Sequence, residues 1–421
     1  MSHNRGLGLL LRVFLVCALL YCMYLVARQA IGAWYFRKHL PQDIQTAIKW
    51  DPGNPEYYDA LATLTHLYSS GRNSAEVVRL CEKATQLSPH NALYWADLGA
   101  AYEWAGRNSD ALLAFTRARS LFPNSPEINW KAANFYARTR KTSDALVALQ
   151  NVLLEDSTKE RQVFVLAINL TSDQEKILDE MMPHRAPLMF DYLNFLIETG
   201  RLEPAQQIWT RLLELKLPFD LARSFPYLDA LIQHREVDRL TEAWAALRSR
   251  FPQEVCARES KPNLITNGDF AFALLNGGRD WRVMQVEGAL VSEDAANGVD
   301  GSKSLRIAFN GTRNLEYGHV LQYVPVAPNT AYTFSAYMRA QEITTDSGPR
   351  FQLLDAYDPS KLLLSTENVT GSSDWSAHHL EFKTSPDTRM LIVKIARPAS
   401  HKFDNRLAGT VWVARVTLLS N

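Results

Sequence analysis

The sequence predicts a multidomain chain of three parts in order: an N-terminal transmembrane helix, an all-α solenoid of stacked helical hairpins, and an all-β sandwich. Three observations carry this expectation: an apolar run near the N-terminus, a self-similarity with a period of 34 residues, and a change of residue alphabet after residue 260. At 421 residues the chain is too long for one small core. Forty-five basic residues balance 45 acidic ones. With no long Lys/Arg run either, a nucleic-acid binder acting through a broad electrostatic field is excluded. The expected boundaries are 1–34 for the anchor, 35–156 for well-formed repeats, 157–255 for degenerate helical repeats and 256–421 for the sandwich.

Residues 7–27, "LGLLLRVFLVCALLYCMYLVA", contain one charge, Arg12. At about 1.5 Å per residue such a helix is about 30 Å long, enough to cross a bilayer. Arg12 lies near one end, where its stem can snorkel, and Tyr21, Tyr24, Trp34 and Tyr35 suit the opposite interface. A cleaved signal peptide is the competing reading. Against it, Arg28 takes the −3 position of the one obvious cut after Ala30, and bulky Tyr21 spoils a lipoprotein signal at Cys22. The expectation is an uncleaved, single-pass anchor in the inner (plasma) membrane. Arg5 and Arg12 before the core, against Arg28, Arg37 and Lys38 after it, lean toward a cytoplasmic body. The character of the C-terminal third favours a periplasmic one, and that is the placement expected. The four cysteines, Cys17, Cys22, Cys81 and Cys256, form no CxxC or zinc spacing, and whether Cys81 and Cys256 pair is left open.

The middle of the chain repeats itself. Tyr68, Tyr102 and Tyr136 are 34 residues apart, as are Ala84, Ala118 and Val152, and Pro89 and Pro123. Within 92–125, Trp95, Leu98, Gly99, Tyr102, Ala111, Phe115, Ala118 and Pro123 resemble the tetratricopeptide repeat pattern position by position. The segments 58–91 and 126–156 match less fully. "DIQTAIKWDPGNP" is similar to the second helix of a leading repeat. The segments beginning "APLMFDYLNFLIETG" and "DALIQHREVDRLTEAW" are similar to degenerate ones, and 157–185 does not fit the pattern and reads as a distorted repeat or an inserted hairpin. The physical reading is that Gly99, Ala111 and Ala118 let two helices approach while Trp95, Tyr102 and Phe115 fill the space between them. One hairpin cannot bury its apolar face alone, so units stack. The resemblance implies a groove lined by first helices and holding a protein partner. Its positions fall on His66 and Ser69, on Glu103 and Trp104, and on Trp130, Asn134 and Arg138.

After residue 260 short alternating runs take over: "SLRIAF", "HVLQYVPV", "RFQLLDAY", "HHLEFKT", "MLIVKIAR" and "TVWVARVTLL", divided by turns such as "NGGRD" and "GSSDW". "NLITNGDF", Trp281, "LQYVPVAPNTAYTFSAYMRA", "SDWSAHHLEF" and "GTVWVARVTLL" occur in an order similar to the galactose-binding-like jelly roll of carbohydrate-binding modules. That resemblance implies a sandwich able to bind polysaccharide. Stacking aromatics and hydroxyl-reading polar groups are then expected among Tyr317, His319, Gln322, Tyr337, Arg339, Tyr357 and Trp375, with Trp281 and Trp412 read as packing residues. Such modules often hold a structural calcium. Ala271 and Ala414 stand where acidic residues often support it, which argues against the ion here, and no cofactor is expected.

No G-x-S-x-G elbow, P-loop, H-E-x-x-H helix or G-x-G-x-x-G turn is present. The carboxylates Glu287, Glu293, Asp294, Asp355 and Glu381 leave glycosidase spacing undecided by sequence. The reading is a non-enzymatic, membrane-anchored scaffold of the bacterial envelope, acting in surface polysaccharide biosynthesis or export. A scaffold with no sugar binding and a polysaccharide hydrolase are its rivals.

Overall fold

The structure, a computed structural model, describes residues 3–68, 73–403 and 405–421, with side-chain exposure given from residue 12 onward. The chain forms two compact units, Met1–Phe195 and Leu196–Asn421.

In the first unit a long helix α1 (His3–Phe36) precedes α2 (Pro41–Trp50), α3 (Pro55–Tyr68), α4 (Ser74–Leu87), α5 (Ala92–Trp104), α6 (Asn108–Leu121), α7 (Pro126–Arg138) and α8 (Thr142–Glu155). Residues 12–36 of α1 are long and apolar enough to cross a membrane, by length and composition. The last turns of α1 belong to the helical stack. Arg28 Nε donates to the Trp50 carbonyl at 2.7 Å, and the Phe36 ring lies 4.8 Å from Tyr57. Hairpins α3–α4, α5–α6 and α7–α8 follow, and α5 also packs against α7.

Three devices build this stack. Gly99 is the close-approach position: a Cβ there would lie 3.0 Å from the Phe115 ring, and Phe115 is 1% exposed. Repeat boundaries are latched by one recurring bond, in which the proline closing one unit offers its carbonyl to a side chain six residues on. Tyr58 Oη donates to Pro52 at 3.1 Å, Trp95 Nε1 to Pro89 at 2.9 Å, and Asn129 Nδ2 to Pro123 at 2.5 Å. Trp95 is therefore a clasp as well as packing. The hairpin turns close on a left-handed residue, Gly106 (φ 75°) or Arg140 (φ 59°), with the next N–H reaching back to Tyr102 or Tyr136 at 2.8 and 2.9 Å. The matching turn before α4 lies outside the described residues, and Tyr68 beside it is 70% exposed where Tyr136 is buried.

Residues 157–185 form a pair of short helices, α9 (Glu160–Leu170) and α10 (Gln174–Glu180), the second capped by Asp173. Helix α11 (Ala186–Glu198) spans the division between the units.

The second unit continues with α12 (Leu202–Glu214), α13 (Phe225–Gln233), α14 (Val237–Arg250) and the single turn α15 (Pro252–Val255). Its turns repeat the left-handed closure at Gly200 (φ 71°) and Arg235 (φ 64°), with Arg201 and Glu236 N–H reaching Leu196 and Leu231. These turns share the geometry of those at Gly106 and Arg140. Trp209 stacks on Tyr227 at 5.0 Å.

The β-strands are β1 (Arg282–Val283), β2 (Ala289–Asp294), β3 (Ser304–Asn310), β4 (Tyr317–Pro325), β5 (Ala331–Ile343), β6 (Arg350–Asp355), β7 (Leu363–Ser365), β8 (Gly371–Lys383), β9 (Met390–Arg397) and β10 (Ala408–Ser420). They form two five-stranded sheets, β1-β4-β9-β6-β7 and β2-β3-β10-β5-β8, with every pair antiparallel. Between them lies an apolar core including Phe334, Phe351, Val393, Val411 and Trp281. The opening motif "NLITNGDF" ties the domain's start to β10: Asn263 bonds Val416 and Leu418, and the Gly268 carbonyl accepts from Val416 N. A side chain at Gly268 would meet the Val416 carbonyl at 2.1 Å, so the motif needs glycine there.

Within this unit the sandwich sits on α13 and α14. Arg282 pairs with Asp229, Arg389 forks onto Asp238, and Trp244 Nε1 donates to Glu259 at 3.0 Å. Gly278, at φ 60°, lies against Trp244, where a Cβ would come within 2.6 Å of the ring.

Candidate functional site

Helices α3, α4, α5 and α7 surround a cavity of about 520 Å³, lined by Ala62, Thr63, His66, Val77, Cys81 and Trp104 among others. The first helices supply most of the wall because residues three and four apart share one helical face. Of the groove residues expected from sequence, His66, Glu103, Trp104 and Arg138 converge here. His66 meets the Trp104 ring edge-on at 4.3 Å, and the Arg138 guanidinium forks onto Glu103 at 2.6 and 2.8 Å. Glu103 and Arg138 thus neutralise each other at one end of the groove.

Trp130 and Asn134 do not line this cavity. Asn134 Nδ2 donates to the Trp130 carbonyl at 2.8 Å, and the Lys159 ammonium sits 6.0 Å from the Trp130 ring. Ser69 lies outside the described residues.

The sequence reading missed two acidic residues on this side. Asp97 is held by Lys131 at 2.6 Å, a bond between equivalent positions of successive repeats. Asp59 has a buried oxygen, Oδ1, with no hydrogen-bond partner, and burial, followed by the Asp97 charge, pushes its pKa up to about 7. The available signal was helical spacing: Asp59 stands three, four and seven residues before Ala62, Thr63 and His66.

The glycan candidates scatter. Tyr317 and Gln322 point into the sandwich. Tyr317 is 3% exposed against Phe309, with rings 5.3 Å apart, and Gln322 is fully buried. The Gln322 amide accepts from Thr266 N at 2.8 Å and donates to Thr266 O at 2.9 Å. Gln322 is thereby removed from any surface for sugar, because a buried amide paired with backbone is not free for a ligand, and Tyr317 is covered by its burial. His319 is half-buried, 5.2 Å from Tyr317. Tyr357 belongs to a different place, a polar recess of about 350 Å³ with Arg235, Asp355, Lys361 and Arg389. Arg235 lies 5.2 Å from its ring, and burial pushes the phenol up to about 12.

Tyr337, Arg339 and Trp375 share the outer face of the sheet β2-β3-β10-β5-β8. The register sets Trp412 of β10 directly between Arg306 of β3 and Arg339 of β5, and places Tyr337 beside Ala414 and Ala377. Trp375 occupies the β8 bulge next to Arg339. Trp412 is 6% exposed. Its ring lies 5.2 Å from the Arg339 guanidinium and 6.0 Å from that of Arg306, and its Nε1 donates to Asp294 at 2.9 Å. The tryptophan is a covered platform that orients two arginines.

Three of the remaining carboxylates have structural partners. Glu287 pairs with Arg313, and Glu293 accepts from Leu274 N at 3.1 Å. Buried Asp355 accepts from Thr388 at 2.6 Å and from two backbone N–H groups. Glu381 lies on β8 and Asp294 on β2, at opposite edges of one sheet. Among the described residues no three His, Cys, Asp or Glu side chains gather as a metal site would require, and all four cysteines are free. The Asn267 carbonyl accepts from Trp281 Nε1 at 3.3 Å.

No family model and no curated protein sequence matches the chain. Solved structures are similar in part. A crystal structure of MamA protein is 14% identical over 47% of this chain and 98% of that one, with a TM-score of 0.31. A structure described as CBM4 structure and function is 16% identical over 37% of this chain and 99% of that one, with a TM-score of 0.28. The enzymatically active domain of tailspike protein 4 from bacteriophage CBA120 is 12% identical over 38% of this chain, which covers only 21% of that one, with a TM-score of 0.29.

Proposed function

We propose that this protein is a non-enzymatic, membrane-anchored scaffold of the bacterial envelope. It holds a protein segment in the groove of its helical repeats and contacts glycan with its terminal sandwich. The observation that carries the reading is the 520 Å³ cavity, walled by apolar Ala62, Val77 and Trp104 and edged by His66 and the Glu103–Arg138 pair. An apolar trough with a few oriented polar groups suits a peptide side chain or short segment. Helix α1 serves as a single-pass anchor in the plasma membrane, with the body on the extracytoplasmic side, where a glycan-contacting sandwich has its substrate. A role in assembling or exporting surface polysaccharide follows from joining a protein groove to a sugar face on one tether. Catalysis is not part of the reading: Glu287, Glu293, Asp294 and Asp355 are engaged by separate structural partners, and Glu381 stands on the opposite sheet edge from Asp294.

Trp104→Ala removes the largest apolar wall of the groove. Recovery of partner with the full-length protein from its own solubilised membranes is expected to fall about tenfold, with far-ultraviolet ellipticity unchanged. Undiminished recovery would remove the groove from the account.

A further inference from the structure

We infer that the outer face of the sheet β2-β3-β10-β5-β8 takes an acidic polysaccharide, whose carboxylates are met by Arg306 and Arg339; this rests on reading the sandwich as a glycan-binding module. The two guanidiniums flank Trp412 on adjacent strands of one register row. Two strand spacings put their backbones about 10 Å apart. Both residues are half-buried and keep part of their surface open to solvent.

Neither Arg306 nor Arg339 makes an ion pair among the described residues. Arg313 and Arg415 nearby do, with Glu287 and Asp300. The acidic group bonded to the platform, Asp294, makes its contacts elsewhere than with the arginines. Asp294 accepts from Trp412 Nε1, Asn297 Nδ2 and the backbone N–H groups of Ala296 and Asn297 at 2.9–3.1 Å. Those bonds, led by that from Asn297, hold its carboxyl down at about 2, so it stays ionised and keeps the indole fixed. The indole in turn orients two guanidinium planes that form no ion pair among the described residues. A guanidinium fork fits a carboxylate with two parallel hydrogen bonds, and a uronate residue supplies that group. Half-buried Tyr337 and Trp375 on the same face offer ring surfaces to the C–H side of a pyranose, and Gln341, paired to Thr410, offers amide contacts to hydroxyls. A neutral glycan would leave the two cations unanswered.

The test uses the full-length chain in detergent, with polygalacturonate and its fully methyl-esterified form as probes. They share one backbone and differ in charge. Binding of polygalacturonate is expected, with the ester about tenfold weaker. It should weaken as salt rises, and the double variant Arg306→Ala with Arg339→Ala should lose about tenfold. Arg306→Lys with Arg339→Lys keeps the charge without the planar fork, and should lie between the wild type and the alanine pair. Should the alanine pair fail to fold, the ester comparison and the lysine pair decide. Equal binding of the ester overturns the inference and leaves the glycan reading standing. Binding of neither polymer also overturns it, and a blank result across a broad glycan panel removes the reading beneath it. Equal affinity for single-stranded DNA would mark an unselective polyanion surface and overturn it as well.

Discussion

Arg397→Met is expected to destabilise the sandwich by about 3–5 kcal/mol. Arg397 closes β9 and is fully buried, and it uses all five of its N–H donors. Nε donates to Ser347 O at 2.8 Å, and Nη1 to Asn314 Oδ1 at 2.6 Å and Leu315 O at 2.8 Å. Nη2 donates to Thr345 Oγ1 and Asn405 O, each at 3.2 Å. These acceptors belong to three separate loops, so one side chain fastens 314–315, 345–347 and 405 to the end of β9. Methionine fills much of the volume and satisfies none of them. The cost is that of several buried acceptors left unpaired plus the loosening of three loops. Lysine, with one nitrogen in place of three, spans only part of the set and should recover only part of the loss. Urea unfolding followed by tryptophan fluorescence reads the effect. A change below about 1 kcal/mol would mean that water replaces the guanidinium at little cost, and would contradict this account.

Asp59→Asn is expected to stabilise the helical repeats in a pH-dependent way. Burial, with Asp97 second, pushes the Asp59 carboxyl up to about 7, whereas an unfolded aspartate ionises near its ordinary 3.8. Near pH 3 and below, the group is largely protonated in both states and costs almost nothing. As pH rises from about 4 to about 7 the unfolded chain ionises first, so the folded state loses ground until its own carboxylate forms. The penalty is complete above about pH 7. Asparagine removes it, giving a gain that is almost absent near pH 3 and grows to about 1–2 kcal/mol near pH 8, the partial solvent contact of the side chain having been discounted. Chemical denaturation of both proteins at the two pH values measures the difference. A gain independent of pH, or a loss at high pH, would show that Asp59 is held by a partner and not by burial alone.

Much of this architecture was legible because periodicity is a direct consequence of packing. The 34-residue spacing of tyrosines, small residues and prolines marks the hairpins, and "SLRIAF", "HVLQYVPV" and "MLIVKIAR" fall on β3, β4 and β9. Gln322 shows the limit. It alternates in phase with Val320 and Val324, which places it inside, yet its amide suggests a surface role until Thr266 is seen to pair with it across 56 residues. Arg306 sits in the outward phase of β3, but nothing local ties it to Trp412 more than 100 residues later. The seating of the sandwich on α13 and α14 through Asp229 and Asp238 was likewise illegible, since charged helix surface reads as solvated until its partner is known. The short strands β1 and β7 carry too few residues to show a period, and β2, though six residues long, has no alternating burial.

A photoreactive amino acid placed in the groove of the full-length protein in its native membranes tests the central claim most directly. Installed at Thr63, which lines the cavity, it should give a discrete adduct with a protein partner that Trp104→Ala abolishes. Installed at Leu113 on α6, which is 69% exposed and outside the cavity, it should give none. No adduct at Thr63, or the same adduct from both positions, would contradict the account.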